Sequence, residues 1–372
     1  MTRQPPTALP ASSLRLSFRH HESFDPPRKK PIRDNLSAVE VIGECLFIAD
    51  DEGARIDRLT ATGPGGYGGH EPFFLGGVFD QLEATEKDGK TVHDEVDIEG
   101  MAADSGWLWV VGSHSLVREK PKATQHDADT ALKLLTDVDR KPNRFLLGRI
   151  PLHPADGAGL VELRAEDGTR KAGCLKMGGK SNALIKALKK DEHFGRFLHI
   201  PAKENGLDIE GMAVRGNRVF LGLRGPVLRG WACILELCVE ATKKGRLKLT
   251  VPDGDGLPYR KHFMELQGLG IRELAFDGDD LLILAGPTMD LDGPVRVWRW
   301  SGCLDSDAPT ITPTERLTPV LELPFGEDCD HAEGIAVVRS PDGAKTLLVV
   351  YDSPSSDRRT GATDVHADLF AL

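Results

Sequence analysis

Two short segments carry paired carboxylates. Val96-Asp97-Ile98-Glu99-Gly100-Met101-Ala102 and Leu207-Asp208-Ile209-Glu210-Gly211-Met212-Ala213 share the run Asp-Ile-Glu-Gly-Met-Ala. In an extended strand, residues two apart face the same way. Each Asp and Glu is therefore expected to point together, with the Ile pointing opposite. Such acids either hold a hard divalent cation, calcium or magnesium, or accept backbone N–H bonds as a structural device. Three weaker copies follow the same frame: His331-Ala332-Glu333-Gly334, Gly270-Ile271-Arg272-Glu273 and Asn35-Leu36-Ser37-Ala38. Stacked around one axis, they give two polar layers: Asn35/Ser37, Asp97/Glu99, Asp208/Glu210, Gly270/Arg272 and His331/Glu333.

Two carboxylates about 5–6 Å apart repel by roughly 3 kcal/mol at an effective dielectric near 20. A layer this acidic needs cations, protons or donors to persist. Asp97, Glu99, Asp208, Glu210 and Glu333 are the candidate metal ligands, and Arg272 is the internal counter-charge to two of the acids. The turns after the second strands carry further polar groups. Among them, His114 is the candidate acid/base, with a purely structural role as its alternative. Arg224 and Arg272, with Lys203 from a nearby loop, are the candidate groups for binding an anion.

Each copy continues into a Gly-containing turn and an apolar strand, as in Val219-Phe220-Leu221-Gly222 and Leu281-Leu282-Ile283-Leu284, which makes it a β-hairpin. Third strands follow at 54–59, 145–150, 233–238 and 295–300, and fourth strands at 160–164, 247–251 and 320–323. Four strands per unit, repeated, predict an all-β chain and a single β-propeller over 1–372. The starts Asn35, Asp97, Asp208, Gly270 and His331 recur about every 62 residues, with one longer interval after Asp97. Insertions at 116–143 and 176–198, the second with a short helix at 181–190, absorb that excess. Five blades are expected, with six as the alternative. The last copy lacks a fourth strand, and Leu14–Phe18 is unassigned, so the N-terminal strand is expected to close the ring against the C-terminal blade. Both insertions then decorate the face on which the acidic segments begin.

The 372 residues are 40% hydrophobic and 28% charged, with net charge −10. This acidic balance argues against a nucleic-acid partner. Neither a secretory signal nor a membrane span is read in the sequence. The six cysteines form no Cys-x-x-Cys pair and read as small buried hydrophobes of a reducing, cytoplasmic setting.

The motifs ADDEG at 49–53, DIEGMA at 97–102, GSHS at 112–115, ENGLDIEGMA at 204–213, LRGP at 223–226, LAGPTMDLDGP at 284–294, HAEGIAV at 331–337 and VVYDSP at 349–354 together resemble an uncharacterised bacterial family, a domain of unknown function. Its wider relatives include phytase-like esterase propellers. The resemblance covers nearly the whole chain and implies a propeller, without implying an activity. Regucalcin-type lactonases offer a looser analogy. In them a Glu-Gly at the start of an inner strand supplies a metal ligand, a place that Glu99, Glu210 or Glu333 would take. Ser37 and Arg272 depart from that pattern, so a symmetric metal cage is not implied. Two functions follow as expectations. One is a non-catalytic platform for a small anionic ligand or a protein partner. The alternative is a divalent-metal-dependent hydrolase of an anionic ester, phosphoester or lactone.

Overall fold

The computed structural model of the chain describes residues 8–24, 30–87, 89–122, 124–179, 181–251, 256–289, 292–305, 310–326, 329–339 and 343–372. Every hairpin of the repeat opens a four-stranded antiparallel meander. Blade 1 runs Leu36–Ile42, Cys45–Asp50, Arg55–Gly63 and Gly66–Phe74. Blade 2 runs Ile98–Asp104, Trp107–Gly112, Leu147–Pro154 and Val161–Leu163. Blade 3 runs Asp208–Arg215, Arg218–Gly225, Trp231–Ala241 and Tyr259–Glu265. Blade 4 runs Gly270–Asp277, Asp280–Gly286, Val295–Trp300 and Leu317–Leu323. Blade 5 runs His331–Arg339, Lys345–Asp352 and Asp364–Ala371. The inner strands of successive blades pack on one another, and that of blade 5 packs on that of blade 1. The chain is an all-β propeller.

The fourth strand of blade 5 is Ser12–Ser17, antiparallel to the last strand from Ser12↔Leu369 to Ser17↔Asp364. Two residues of the same strand, Arg15 and Leu16, also pair in parallel with Gly66 and Tyr67 of blade 1. Leu14, Leu16 and Phe18 are buried in the cluster these two blades share. One strand thus supplies both the missing edge and the seam of the ring.

Blade 3 departs from the sequence reading. Its fourth strand is Tyr259–Glu265, not the segment at 247–251. The third strand is long enough to serve two partners. Its first half, Trp231–Leu237, pairs with Tyr259–Glu265, and its far end, Cys238–Ala241, takes Leu247–Thr250 as a local hairpin.

The segment at 116–143, residue 123 aside, is inserted between the second and third strands of blade 2, and that at 176–198, residue 180 aside, lies in the connection from blade 2 to blade 3. The first carries α1 (Ala128–Leu134), none of whose residues is buried. The second carries α2 (Ala183–Leu188), shorter than the helix expected at 181–190. Asn182 caps it, its Oδ1 accepting the Ile185 N–H at 2.9 Å, a strong N-cap arrangement. Leu184, Ile185 and Leu188 bury its inner face. Asp191 then ties the segment to blade 3 by accepting from the Tyr259 hydroxyl at 2.7 Å and the Lys261 ammonium at 2.9 Å.

All five inner strands share a defect that strict alternation does not foresee. Pairing skips one residue in each: Ser37, Glu99, Glu210, Arg272 and Glu333 have no opposite number on the second strand. Each is a β-bulge, which bends the strand and re-aims its side chain. The residue that follows is Gly100, Gly211 or Gly334 in three blades. A Cβ on Gly100 would stand 2.8 Å from the Met212 nitrogen, one on Gly211 2.9 Å from the Glu273 Cα, and one on Gly334 2.7 Å from Val350 Cγ2. The Gly of the motif answers close approach near the axis, not a special backbone angle.

Deleting residues 1–19 removes the ring-closing strand and exposes the apolar face beneath Leu14, Leu16 and Phe18. Three buried side chains correspond to about 5 kcal/mol, so the melting temperature should fall sharply. An unchanged melting curve for the truncated chain would show that this strand does not close the ring.

Candidate ligand site at the channel mouth

The inner strands start at one end of the channel, and their polar positions meet there. Arg224, at the end of the second strand of blade 3, spans both acids of its own hairpin. Its guanidinium lies 2.5 Å from Asp208 and 2.5 Å from Glu210. Arg272 joins two blades, ion-paired with Glu333 and 3.6 Å from the second oxygen of Glu210. Arg144, just before the third strand of blade 2, binds Asp97 at 2.9 Å and Glu95 at 2.6 Å, and donates to Ser115 at 3.1 Å. The apolar residues between the polar positions, Leu36, Ile98, Ile209, Ile271 and Ala332, are buried as expected of inter-blade packing.

Among the described residues, these three guanidiniums do not balance the acids. Glu95, Asp97, Glu99, Asp208, Glu210 and Glu333 share the mouth with Asp51 and Asp352 from neighbouring turns. Glu99 is the extreme case: among the described residues it makes no hydrogen bond and no ion pair. Burial drives its carboxyl well above the usual range, and Asp97, Glu210, Asp208 and Glu333 push it further. Burial lifts Glu210 to about 8 in spite of Arg224 and Arg272, and Asp97 to about 6 in spite of Arg144. Asp51, buried beside Asn35, rises to about 6, and burial also raises Asp208 and Asp352.

The other candidates separate. His114 is buried and belongs to the frame of the site rather than to its chemistry. Its Nδ1 donates to the Gly112 carbonyl at 2.7 Å, and its Nε2 meets the Asn182 side-chain amide at 2.6 Å. Burial holds the imidazole down at about 4, so it stays neutral and fastens the α2 segment to blade 2. This corrects the acid/base expectation, because both ring nitrogens are spent. Lys203 is exposed on the loop before blade 3 and makes no ion pair among the described residues. His331 is also exposed, 3.6 Å from Asp292. Asn35 is buried and donates to Asp51 at 3.0 Å. The Ser37 hydroxyl is used up by the Ile98 carbonyl of the next blade at 2.6 Å. Residues 290 and 291 of the LAGPTMDLDGP motif lie outside the described residues.

Two consequences follow for ligands. Arg224 and Arg272, the arginines expected to bind an anion, are both engaged by carboxylates of the mouth. The five acids expected to hold calcium or magnesium do meet at one mouth, but Asp97, Asp208, Glu210 and Glu333 each face a guanidinium. Among the described residues no group of three His, Cys, Asp or Glu side chains is gathered for a metal ion. Arg144 and Glu95 escaped the sequence reading. Arg144 occupies no repeat position, and only its place directly ahead of a predicted strand marks it.

Residues 35–368 match the family model described as a protein of unknown function, DUF3616. No curated protein matches the sequence. Among solved structures, the chain is similar to glutaminyl cyclase from Myxococcus xanthus, at 11% identity and TM-score 0.37, covering 98% of this chain and 100% of that one. It is similar to the PQQ-bound aldose sugar dehydrogenase of Streptomyces coelicolor at 12% identity and TM-score 0.37, covering 99% and 100%. Xylan β-1,4-xylosidase from Bacillus halodurans C-125 gives 9% identity and TM-score 0.38, covering 91% and 53%. Likenesses this distant carry no argument about activity. Among the described residues no helix is long and apolar enough to cross a membrane.

Two outcomes test the charge arrangement. Arg272→Glu strips Glu333 of its partner and adds an acid beside Glu210, and should cost about 3 kcal/mol or more at pH 8. A denaturation curve matching wild type would show that Arg272 does not bridge these blades. The second outcome concerns pH. Because the Glu99 carboxyl titrates higher in the folded than in the unfolded chain, its contribution to stability is full below its ordinary value and is lost as pH rises. Without added cations, Glu99→Gln should therefore melt above wild type at pH 8, and the gap should shrink towards pH 5. A gap that is constant with pH would place Glu99 in solvent.

Proposed function

The chain belongs to this family, and we propose that its channel mouth is a non-catalytic binding platform for an ammonium or guanidinium group, carried by a small ligand or by a side chain of a protein partner. The observation that carries this reading is Glu99. It is a part-buried carboxyl at the convergence of five strands, surrounded by acids and without an ion pair among the described residues. An incoming organic cation would supply what the three arginines do not, and a carboxylate–guanidinium or carboxylate–ammonium bond is among the stronger hydrogen bonds available. The fixed pairs Arg224–Asp208–Glu210 and Arg144–Asp97 hold the surrounding acids in place, so the receiving group is preorganised. A metal-dependent hydrolase would instead need several acids freed from their arginines to coordinate an ion.

Thermal melts at pH 8 with agmatine, which carries both cationic groups, test the proposal. The wild type should gain stability by mass action, about 2.7 kcal/mol at a hundredfold excess over the dissociation constant. Glu99→Gln should lose most of that gain while folding normally. Calcium and magnesium form separate arms. Stabilisation by either ion and not by agmatine would overturn this reading in favour of a metal site. Indifference to all three would overturn it outright.

A further inference from the structure

The opposite end of the channel holds a second cavity, of about 310 Å3, within the size range of small-molecule sites. All five inner strands line it. At one level they contribute Ala102, Ala213, Ala275 and Ala336, and in the fifth strand Glu40. Four methyl groups thus leave room for one carboxyl. Glu40 accepts the Ala103 N–H and makes no ion pair among the described residues. The wall about Glu40 is these alanine methyl groups, and two arginines stand at the rim. Arg215 lies over the Phe276 ring, 4.5 Å from its centroid. Arg339 is 3.3 Å from Asp277. Both are exposed. The arrangement is one acid deep, a ring of methyl groups beside it, and two guanidiniums at the rim.

We propose that this second mouth binds a small amino-carboxylate with its two charges at opposite ends of a short apolar body, the ammonium seated on Glu40 and the carboxylate at Arg215 and Arg339. The inference is independent of the acidic mouth, because it rests on another cavity and other residues. Charge complementarity fixes the direction of entry. A carboxylate-first ligand would meet Glu40, and an amine without the anionic end would have to pass two guanidiniums. Burial raises the Glu40 carboxyl to about 8, which fits a site where no described residue forms an ion pair with the acid.

Isothermal titration of the full chain with 6-aminohexanoate at pH 8.5, with hexanoate as the comparison, tests this. The expected result is binding of 6-aminohexanoate that weakens at least tenfold in Glu40→Ala and in Glu40→Gln. Hexanoate should bind at least tenfold more weakly to the wild type. The Ala variant carries at this level what the other four strands carry, and the Gln variant keeps the shape, so a fold defect in one leaves the other to decide. Absence of 6-aminohexanoate binding, equal binding by the Glu40 variants, or hexanoate binding as tight as 6-aminohexanoate would overturn the proposal.

Discussion

The space between the inner strands governs the rest of the molecule. Where Gly100, Gly211 and Gly334 stand, a single Cβ would collide with the adjacent strand or blade. The ring can therefore be this tight only if those positions carry no side chain. Directly before each lies the bulge, and the bulge is where the charged residue sits. Close approach and placement of charge are thus one device. The residue that must vanish for the strands to meet is preceded by one that the strand cannot pair, and its side chain is free to be re-aimed. The same bulge places Arg272 and Ser37 at the level of the glutamates although no glycine follows them.

The electrostatics of the mouth stand out against the way this chain treats buried acids elsewhere. Glu236, inside blade 3, accepts from Arg218 at 2.7 Å, from Arg260 at 3.0 Å and from His262 at 2.8 Å. Burial pushes Glu236 up, but these partners outweigh it and hold the carboxyl below its usual range. Asp277 likewise overcomes burial by accepting from Lys345 at 2.6 Å and Arg299 at 2.9 Å, and is held low. Where an acid serves only to join strands, it receives more positive charge than it carries. At the mouth the balance reverses, and Glu99 and Glu210 stay raised. An uncompensated buried charge costs several kcal/mol, and the chain demonstrably can supply arginines. The deficit is thus a property of the channel, which Glu40 and Glu273 share with the mouth.

Much of this was legible in the residues. The repeated hairpins, the buried Ile between the two acids, and the meeting of Asp97, Asp208, Glu210 and Glu333 on one face all follow from strand alternation and the recurrence of one motif. The bridging role of Arg272 followed from charge alone. What sequence could not show has three physical sources. Alternation assumes an unbroken ladder, so the bulges at Ser37, Glu99, Glu210, Arg272 and Glu333 were invisible. Arg144 reaches Asp97 from outside the repeat, and no periodic pattern marks such a partner. His114 looked available because its turn faces the site. Its ring is instead closed off by Asn182, which is 68 residues away, a pairing that only the folded chain creates. Blade 3 adds a fourth case, where a strand of ordinary composition proved long enough to hold two partners side by side.

The two ends of the channel differ because one ring of five strands carries unlike residues at successive levels. At the starts of the strands, acids outnumber arginines. One level beyond the bulge the ring narrows to Gly100, Gly211 and Gly334 with Ala38 and Glu273. The Glu273 carboxyl is buried there, with one oxygen accepting from the Met212 and Leu274 N–H groups and the other without a partner. Burial holds Glu273 well above the usual range, and its neighbours in charge are Glu40 on one side and Glu210 on the other. Glu273 stands at a level where three of the other four inner strands carry glycine. It is in electrostatic reach of Glu210 at the acidic mouth and of Glu40 in the cavity. An ionised Glu210 or Glu40 makes ionisation of Glu273 harder, so charge at either end of the channel bears on this one carboxyl.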